Sequence, residues 1–188
     1  MNVLDILTIG SLVRDGTLIK EAHSTSTLIR TGDLNIVVDT SSRERQASIR
    51  TSFKQIGVFP KDVDVVVLTH AHRDHCGNND LFRKAKFYVR KEEQIDGDNI
   101  VRISKDVEIA PGVKLVHTPG HTKGSMSVFV ESERKYAIAG DAIPLEDNHR
   151  KMIPPGINCD AEKSMKSIKY ITEYADVIIP GHGFPFLR

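Results

Sequence analysis

Four side chains of the kinds that bind metal ions fall within six residues of the sequence. They are His70, His72, Asp74 and His75, and they follow a largely apolar run over residues 63–68 that is typical of a buried strand. Imidazole nitrogens and carboxylate oxygens suit zinc, iron or manganese. A single catalytic zinc usually takes three protein ligands, so four such side chains indicate two metal ions.

The spacing of these side chains indicates how they reach one site. In an extended segment His70, His72 and Asp74 lean to the same side, because side chains alternate along the chain. His75 breaks the alternation, so we expect the chain to turn there and bring its ring inward. A polar loop with incidental histidines would explain one such residue, but not three histidines and an aspartate in this order.

The segment resembles the hallmark of the metallo-β-lactamase superfamily, His-x-His-x-Asp-His after a buried strand. Three further segments match the family in the same order along the chain, at residues 118–122, 139–141 and 180–183. The resemblance implies two trios of metal ligands and a bridging carboxylate between them. One metal ion would bind His70, His72 and His121, the other would bind Asp74, His75 and His182, and Asp141 would bridge the two.

Two divalent metal ions are therefore the expected cofactors, with zinc first and iron or manganese as alternatives. A close metal pair activates water at neutral pH and stabilises the oxyanion that forms after attack. Five neutral imidazoles and two carboxylates leave the pair with surplus positive charge, which favours substrates that carry a carboxylate or a phosphate. Asp74 is the predicted catalytic residue, because its carboxylate can orient the attacking water and shuttle a proton.

Hydrolysis of a small ester, thioester or lactone is the first functional hypothesis. The second is a phosphodiesterase or ribonuclease on the same metals, which a basic cluster over residues 83–91, interleaved with Phe87 and Tyr88, and the pair Arg150 and Lys151 keep open. The third is a non-hydrolytic diiron redox module. That branch of the family replaces the second histidine by glutamate and appends a flavin domain, whereas this chain has His72 and, we expect, no room for such a domain.

Composition is ordinary for a globular protein: 188 residues, 39% hydrophobic, 27% charged, with a formal net charge of +1. A net charge this small does not favour a nucleic acid or a membrane surface as a partner, so we expect a small-molecule substrate. No apolar run approaches membrane-spanning length. The two cysteines, Cys76 and Cys159, cannot form a disulfide framework, and we expect a cytoplasmic protein. The sequence carries no indication of oligomeric state.

The elements that must position the ligands are clusters of strands with helices between and after them. Strands are predicted at residues 5–10, 27–30, 35–39, 63–68, 86–89, 107–109, 113–117, 125–130, 136–139 and 177–179, and helices at 43–56, 79–82 and 161–174. We expect one domain over residues 1–188, of the α/β class, with the four-layer αββα sandwich of two mixed sheets flanked by helices that the resemblance implies. A tight hairpin turn is expected at residues 31–33, and polar loops at 11–24 and 143–160 are expected to set substrate specificity.

Asp39 ends the predicted strand 35–39. In the family an aspartate at this strand end lies near the metal ligands, although the glycine that usually follows is Ser41 here. Two roles are open for Asp39: support of the metal ligands, or capping of the helix that follows.

Overall fold

Fourteen strands and four α-helices make up the described part of the chain, residues 1–32 and 34–188 of a computed structural model. The strands are β1 (Val3–Thr8), β2 (Ser11–Asp15), β3 (Leu18–His23), β4 (Ser26–Thr31), β5 (Leu34–Val38), β6 (Val65–Val67), β7 (Lys86–Arg90), β8 (Ile100–Ile103), β9 (Val107–Ala110), β10 (Val113–His117), β11 (Met126–Glu131), β12 (Lys135–Gly140), β13 (Val177–Pro180) and β14 (Phe186–Leu187). The helices are α1 (Gln46–Ile56), α2 (Arg73–Cys76), α3 (Glu146–Arg150) and α4 (Ala161–Tyr174), with single 3₁₀ turns at Arg43–Arg45, Pro60–Asp62 and Asn79–Phe82.

Two six-stranded sheets carry twelve of these strands. The first has the order β1-β4-β5-β6-β7-β8 and is parallel from β5 to β8. The second has the order β14-β13-β12-β11-β10-β9 and is antiparallel except for the pair β12 and β13. Both sheets are therefore mixed, and β2 and β3 form a separate two-stranded hairpin.

The two sheets pack face to face because their inner side chains alternate with outer ones. Ile36 and Val38 of the first sheet share one core with Val128 and Val130 of the second, whereas Val37 belongs to a different cluster on the outer face. A one-residue slip of register would exchange these faces, so the alternation fixes how each strand pairs.

A helix covers the outer face of each sheet. In α1, Ile49 and Phe53 are buried against the outer face of the first sheet, and in α4, Ile168 and Ile171 are buried against the second. The helix α1 ends at Gly57, whose left-handed φ of 77° lets its N–H return to the carbonyl of Phe53. Helix, sheet, sheet and helix follow one another, which confirms the predicted αββα sandwich.

Several predicted elements differ from the structure. The prediction of a polar loop at 11–24 is wrong, because this stretch forms the hairpin β2–β3. The stretch 143–160 contains the helix α3, and β8 and β14 were not predicted. The strands β4 and β5 pair as an antiparallel hairpin, while Asp33, in its predicted turn, lies outside the described residues. None of the described helices is long and apolar enough to cross a membrane.

Candidate metal centre

The predicted ligands follow the ends of strands. His70 and His72 lie between β6 and α2, and His121 lies in the loop between β10 and β11. Asp141 directly follows β12, and His182 lies two residues after the end of β13. The helix α2 makes the turn that the spacing predicted, since the N–H of His75 bonds to the carbonyl of His72 at 2.9 Å. The ring of His75 is thereby buried completely.

Three ring nitrogens converge to form the first trio. His72 Nδ1 lies 3.0 Å from His70 Nε2 and 3.1 Å from His121 Nε2. The rings meet edge to face, so their nitrogens point at a common centre while their carbons pack outward. The set His70, His72 and His121 offers the number and kind of ligands that a catalytic zinc takes.

The second trio combines two rings and a carboxylate. Asp74 Oδ2 lies 3.5 Å from His182 Nε2 and 3.8 Å from His75 Nε2. His75 and His182 are buried, whereas the side chain of Asp74 keeps 21% of its surface exposed. Asp74 is therefore the side chain of this trio that solvent can reach.

Asp141 faces both trios with different oxygens. Its Oδ1 lies 3.3 Å from His75 Nε2 and from His182 Nε2, and its Oδ2 lies 3.5 Å from His121 Nε2. The structure thus brings together all seven residues that the sequence singled out, with one carboxylate in the place that the resemblance gave to a bridge.

Two buried atoms of this cluster have no hydrogen-bond partner among the described residues, His75 Nε2 and Asp141 Oδ1. An unsatisfied buried polar atom costs about 1–3 kcal/mol, and such atoms are rare in native proteins. Both are good metal ligands and they face each other, so a bound cation would satisfy the two at once. The donor set fits a pair of divalent ions.

The outer nitrogens of four rings are held by acceptors. His121 Nδ1 donates to the carbonyl of Ile157 at 2.7 Å, and His182 Nδ1 donates to the carbonyl of His23 at 2.8 Å. A carbonyl oxygen only accepts, so each Nδ1 carries the hydrogen and the neutral ring presents the lone pair of Nε2 to the centre. His70 and His75 are held in the same orientation through Thr69 and Asp39.

Asp39 supports both trios. It accepts hydrogen bonds from His75 Nδ1 at 2.7 Å and from the backbone and hydroxyl of Thr69 at 2.8 Å each. The same hydroxyl lies 3.1 Å from His70 Nδ1. Asp39 is 2% exposed and caps no helix, since the 3₁₀ turn at Arg43–Arg45 begins after Ser42. Of the two roles left open by the sequence, support of the ligands is the one observed.

Asp39 and Ser41 both adopt left-handed backbone conformations, with φ of 55° and 56°. Such conformations are uncommon for residues other than glycine, and they concentrate at functional sites. Ser41, which stands where the family has glycine, anchors its conformation by donating its hydroxyl to the carbonyl of Ser24 at 2.7 Å.

Burial and mutual contact shift the protonation of these groups. Burial lowers the pKa of His70 well below its usual range, and the neighbouring His75 lowers it further. Burial also opposes a charge on His75, but the carboxylates of Asp39 and Asp141 outweigh it and raise the pKa of His75 well above its usual range. In turn, His75 and His182 overcome burial and hold the pKa of Asp141 well below its usual range. Asp141 is therefore an anion in the protein, ready to hold cations.

A buried carboxylate that the sequence did not single out joins the two loops of the first trio. Glu93 is 7% exposed and accepts hydrogen bonds from Ala71 N at 2.9 Å, Thr122 Oγ1 at 2.6 Å and Gly124 N at 3.0 Å. A Cβ on residue 124 would lie 2.6 Å from the carboxylate, so only glycine permits this approach. Nothing local signals this role, because 22 residues separate Ala71 from Glu93.

We expect Glu93→Gln to loosen the first trio. Glutamine has the size of glutamate but replaces one acceptor oxygen by an NH₂ group, which would face the N–H and O–H donors around Glu93. We therefore expect the free energy of unfolding to fall by about 1–3 kcal/mol and the metal affinity to fall by about tenfold. Thermal unfolding and competition with a zinc chelator measure the two effects. Glu92→Gln is the matched control, because exposed Glu92 pairs only with Arg90 at 3.3 Å among the described residues, and we expect a change below about 0.5 kcal/mol there. Equal stability and equal metal affinity in Glu93→Gln and Glu92→Gln would contradict the role of Glu93.

A small cavity of about 100 Å³ opens onto the ligands His72, Asp74, His121, Asp141 and His182. One wall is the hairpin β2–β3 and the other is formed by the segment after Asp141. The lining side chains outside the ligands are mostly apolar, namely Leu12, Ile19, Ala22, Pro144, Pro155 and Ile157, together with Gly156 and Arg14. The stretches 11–24 and 143–160, which we expected to set substrate specificity, both contribute residues to the lining of this cavity.

The basic cluster and the pair Arg150 and Lys151, which left a nucleic-acid substrate open in the sequence, do not line this cavity. Phe87 and Tyr88 of the basic cluster pack into the cores on opposite faces of the first sheet, so their rings are not free to stack on bases. Arg150 and Lys151 end α3, pair with Glu146 and Asp147 at 2.6 Å each, and do not line the cavity. Neither set therefore lines the cavity at the metal centre.

Comparison with known proteins gives consistent results. The family model of the metallo-beta-lactamase superfamily matches residues 19–106 and 96–182. A probable metallo-hydrolase of Methanocaldococcus jannaschii is 40% identical over 182 residues, which cover 96% of this chain and 86% of that protein. An N-acyl homoserine lactonase from a Bacillus species is 30% identical over 136 residues, which cover 64% of this chain and 54% of that protein.

Two solved structures share the fold. A metallo-beta-lactamase-like protein of Thermotoga maritima superposes with a TM-score of 0.82 at 22% identity, over 100% of this chain and 99% of that one. The AiiA protein of Bacillus thuringiensis, with N-decanoyl-L-homoserine bound at its active site, superposes with a TM-score of 0.77 at 22% identity, over 96% and 92%. With the family match over most of the sequence, the chain belongs to the metallo-beta-lactamase superfamily and is an enzyme of its metallo-hydrolase class.

Proposed function

We propose that this protein is a dinuclear metal-dependent hydrolase of a small ester, thioester or lactone. The observation that carries the proposal is Asp141, whose two oxygens face different ligand trios at 3.3–3.5 Å on the floor of a small, mostly apolar cavity. A lactonase among its relatives, 30% identical over 136 residues, supports a carboxyl-type substrate.

Seven residues would hold the two metal ions: His70, His72 and His121 on one side, Asp74, His75 and His182 on the other, and Asp141 between them. When bound, such a pair lowers the pKa of a coordinated water and polarises the bond under attack. Zinc is the metal we propose, and iron and manganese suit the same ligands.

Asp74 is the proposed catalytic residue. Its side chain is partly exposed and lines the cavity, so the carboxylate can accept the proton of the attacking water and pass it to the leaving oxygen. Leu12 and Ile19 on one wall and Pro155 and Ile157 on the other would bind the apolar part of the substrate and limit access of bulk water. The whole chain, residues 1–188, would act as one catalytic domain.

The cavity disfavours a long polyanion. A ribonuclease would need cations or exposed aromatic side chains along a groove, whereas the basic cluster and Arg150 with Lys151 do not line the cavity. A net charge of +1 also gives a nucleic acid little long-range attraction.

The test starts from protein loaded with zinc, for which we expect two metal ions per chain by elemental analysis. The loaded protein is then offered matched lactone, thioester and carboxyl ester substrates, and short RNA, over a range of salt concentrations. We expect turnover of small carboxyl substrates with a weak response to salt. Cleavage of RNA alone, with the steep salt dependence of phosphate contacts, or one metal ion per chain, would contradict the proposal.

A further inference from the structure

Arg14 is the single lysine or arginine among the described residues that line the cavity. It lies on β2, in the hairpin that forms one wall. No carboxylate of the described chain lies within salt-bridge distance of its guanidinium, whereas Lys20 on the same hairpin pairs with Asp15 at 3.2 Å. The charge of Arg14 is thus available to a ligand.

Strand alternation puts Arg14 on the same face of β2 as Leu12, and a β-bulge in β3 brings Ile19 to that face opposite it. Leu12 pairs with Ala22, but the register then shifts, and Arg14 pairs with Ile19. These two cross-strand pairs supply the four hairpin residues that line the cavity. Without the shift Arg14 would stand opposite Lys20, another cation, and Ile19 would turn to the other face. Bulges commonly re-aim side chains beside active sites.

The opposite wall is shaped to receive the guanidinium. A Cβ on residue 156 would lie 2.9 Å from Arg14 Nη1, so the absence of a side chain at Gly156 lets the guanidinium lie across the cavity mouth. The next carbonyl, that of Ile157, holds His121 Nδ1 at 2.7 Å. The guanidinium of Arg14 therefore lies beside the apolar side chains that line the cavity next to the predicted ligands.

We propose that Arg14 binds an oxyanionic group, a carboxylate or a phosphate, on the part of the substrate remote from the bond that is broken. This inference rests on the proposed hydrolase function and narrows its substrate to small acidic molecules. Arginine offers a planar pair of N–H groups that matches both oxyanions. The apolar side chains between Arg14 and the ligands suit a short hydrocarbon spacer.

The test measures binding to the zinc-loaded protein by calorimetry. Glutarate, 4-phosphonobutyrate and pentanoate share one carboxylate and a similar chain length, and they differ at the far end in carboxylate, phosphonate or methyl. We expect the native protein to prefer the better of the two dianions over pentanoate, and this preference to fall by about tenfold in Arg14→Gln and less in Arg14→Lys. Which dianion binds more tightly identifies the oxyanion.

Lys20→Gln is the matched control, because it removes one charge from the same hairpin outside the cavity, and we expect the preference to stay within about twofold of the native value. An equal loss of affinity for all three ligands in Arg14→Gln, or an unchanged preference, would overturn the proposal.

Turnover of monomethyl glutarate against methyl pentanoate separates this inference from the proposed function. If the native protein and Arg14→Gln both hydrolyse the two esters at similar kcat/KM, the proposed hydrolase function stands and the proposed role of Arg14 is contradicted. Hydrolysis of neither ester, and of no lactone or thioester in the panel above, would contradict the proposed hydrolase function, while the binding preference still decides whether Arg14 holds an oxyanion.

Discussion

Asp141→Ala is expected to abolish the metal pair and to reduce turnover more than any change outside the seven ligands. Asp141 approaches both trios, through Oδ1 to His75 and His182 and through Oδ2 to His121. Alanine removes both contacts and the negative charge that balances two cations at the centre. Elemental analysis after zinc loading, with kcat/KM on the best substrate of the panel, measures the loss.

Asp39→Ala is the comparison variant. Asp39 touches His75 and Thr69 but would touch no metal, so we expect the loss of about 10–100-fold in affinity or activity that is usual for residues that orient ligands. Both variants remove one buried carboxylate that contacts His75, so a general loss of stability affects them alike. A metal content and rate in Asp141→Ala equal to those of the parent protein, or smaller losses than in Asp39→Ala, would refute the bridging role.

The sequence predicted well which side chains the fold brings together, because most of the pattern that marks them is local. His70, His72, Asp74 and His75 are packed into six residues, and the turn needed at His75 follows from side-chain alternation alone. The same holds for the central strands, whose apolar runs are buried on both faces, and for α4, whose predicted bounds of 161 and 174 match the structure.

The conformation of the cavity walls was not predicted, because it depends on distant parts of the chain. The hairpin β2–β3 exposes many of its residues, so its strands lack the apolar alternation that marks a buried sheet. The helix α3 has five residues in a stretch with prolines on both sides, too short for a periodic signal. Glu93 was not predicted either, because its hydrogen-bond partners lie in two other loops.

Gly181→Ala is expected to damage one half of the centre selectively. A Cβ on residue 181 would lie 2.1 Å from Asp141 Oδ1, closer than two such atoms can approach. The next nearest atoms are the carbonyl carbon and oxygen of Gly140, at 3.0 Å, so the backbone on the other side of the added methyl group leaves it little room to shift away from Asp141. The φ of Gly181 is not in the left-handed region, so alanine adds no strain of its own there.

The carboxylate of Asp141 must therefore move, and the oxygen displaced is the one that faces His75 and His182. We expect affinity at that trio to fall by about 10–100-fold, while His70, His72 and His121 keep their metal. Zinc titration should then resolve one tight and one weak site per chain, in contrast to the loss of both in Asp141→Ala.

Gly57→Ala is the control for the substitution itself. Gly57 has a φ of 77° and open space around a Cβ, so alanine strains the end of α1 without touching the centre. We expect a loss of about 1–3 kcal/mol in the free energy of unfolding with both metal sites retained. Two tight sites in Gly181→Ala would show that Asp141 can yield to the added methyl group and still reach both trios, which is incompatible with the contacts described for its two oxygens.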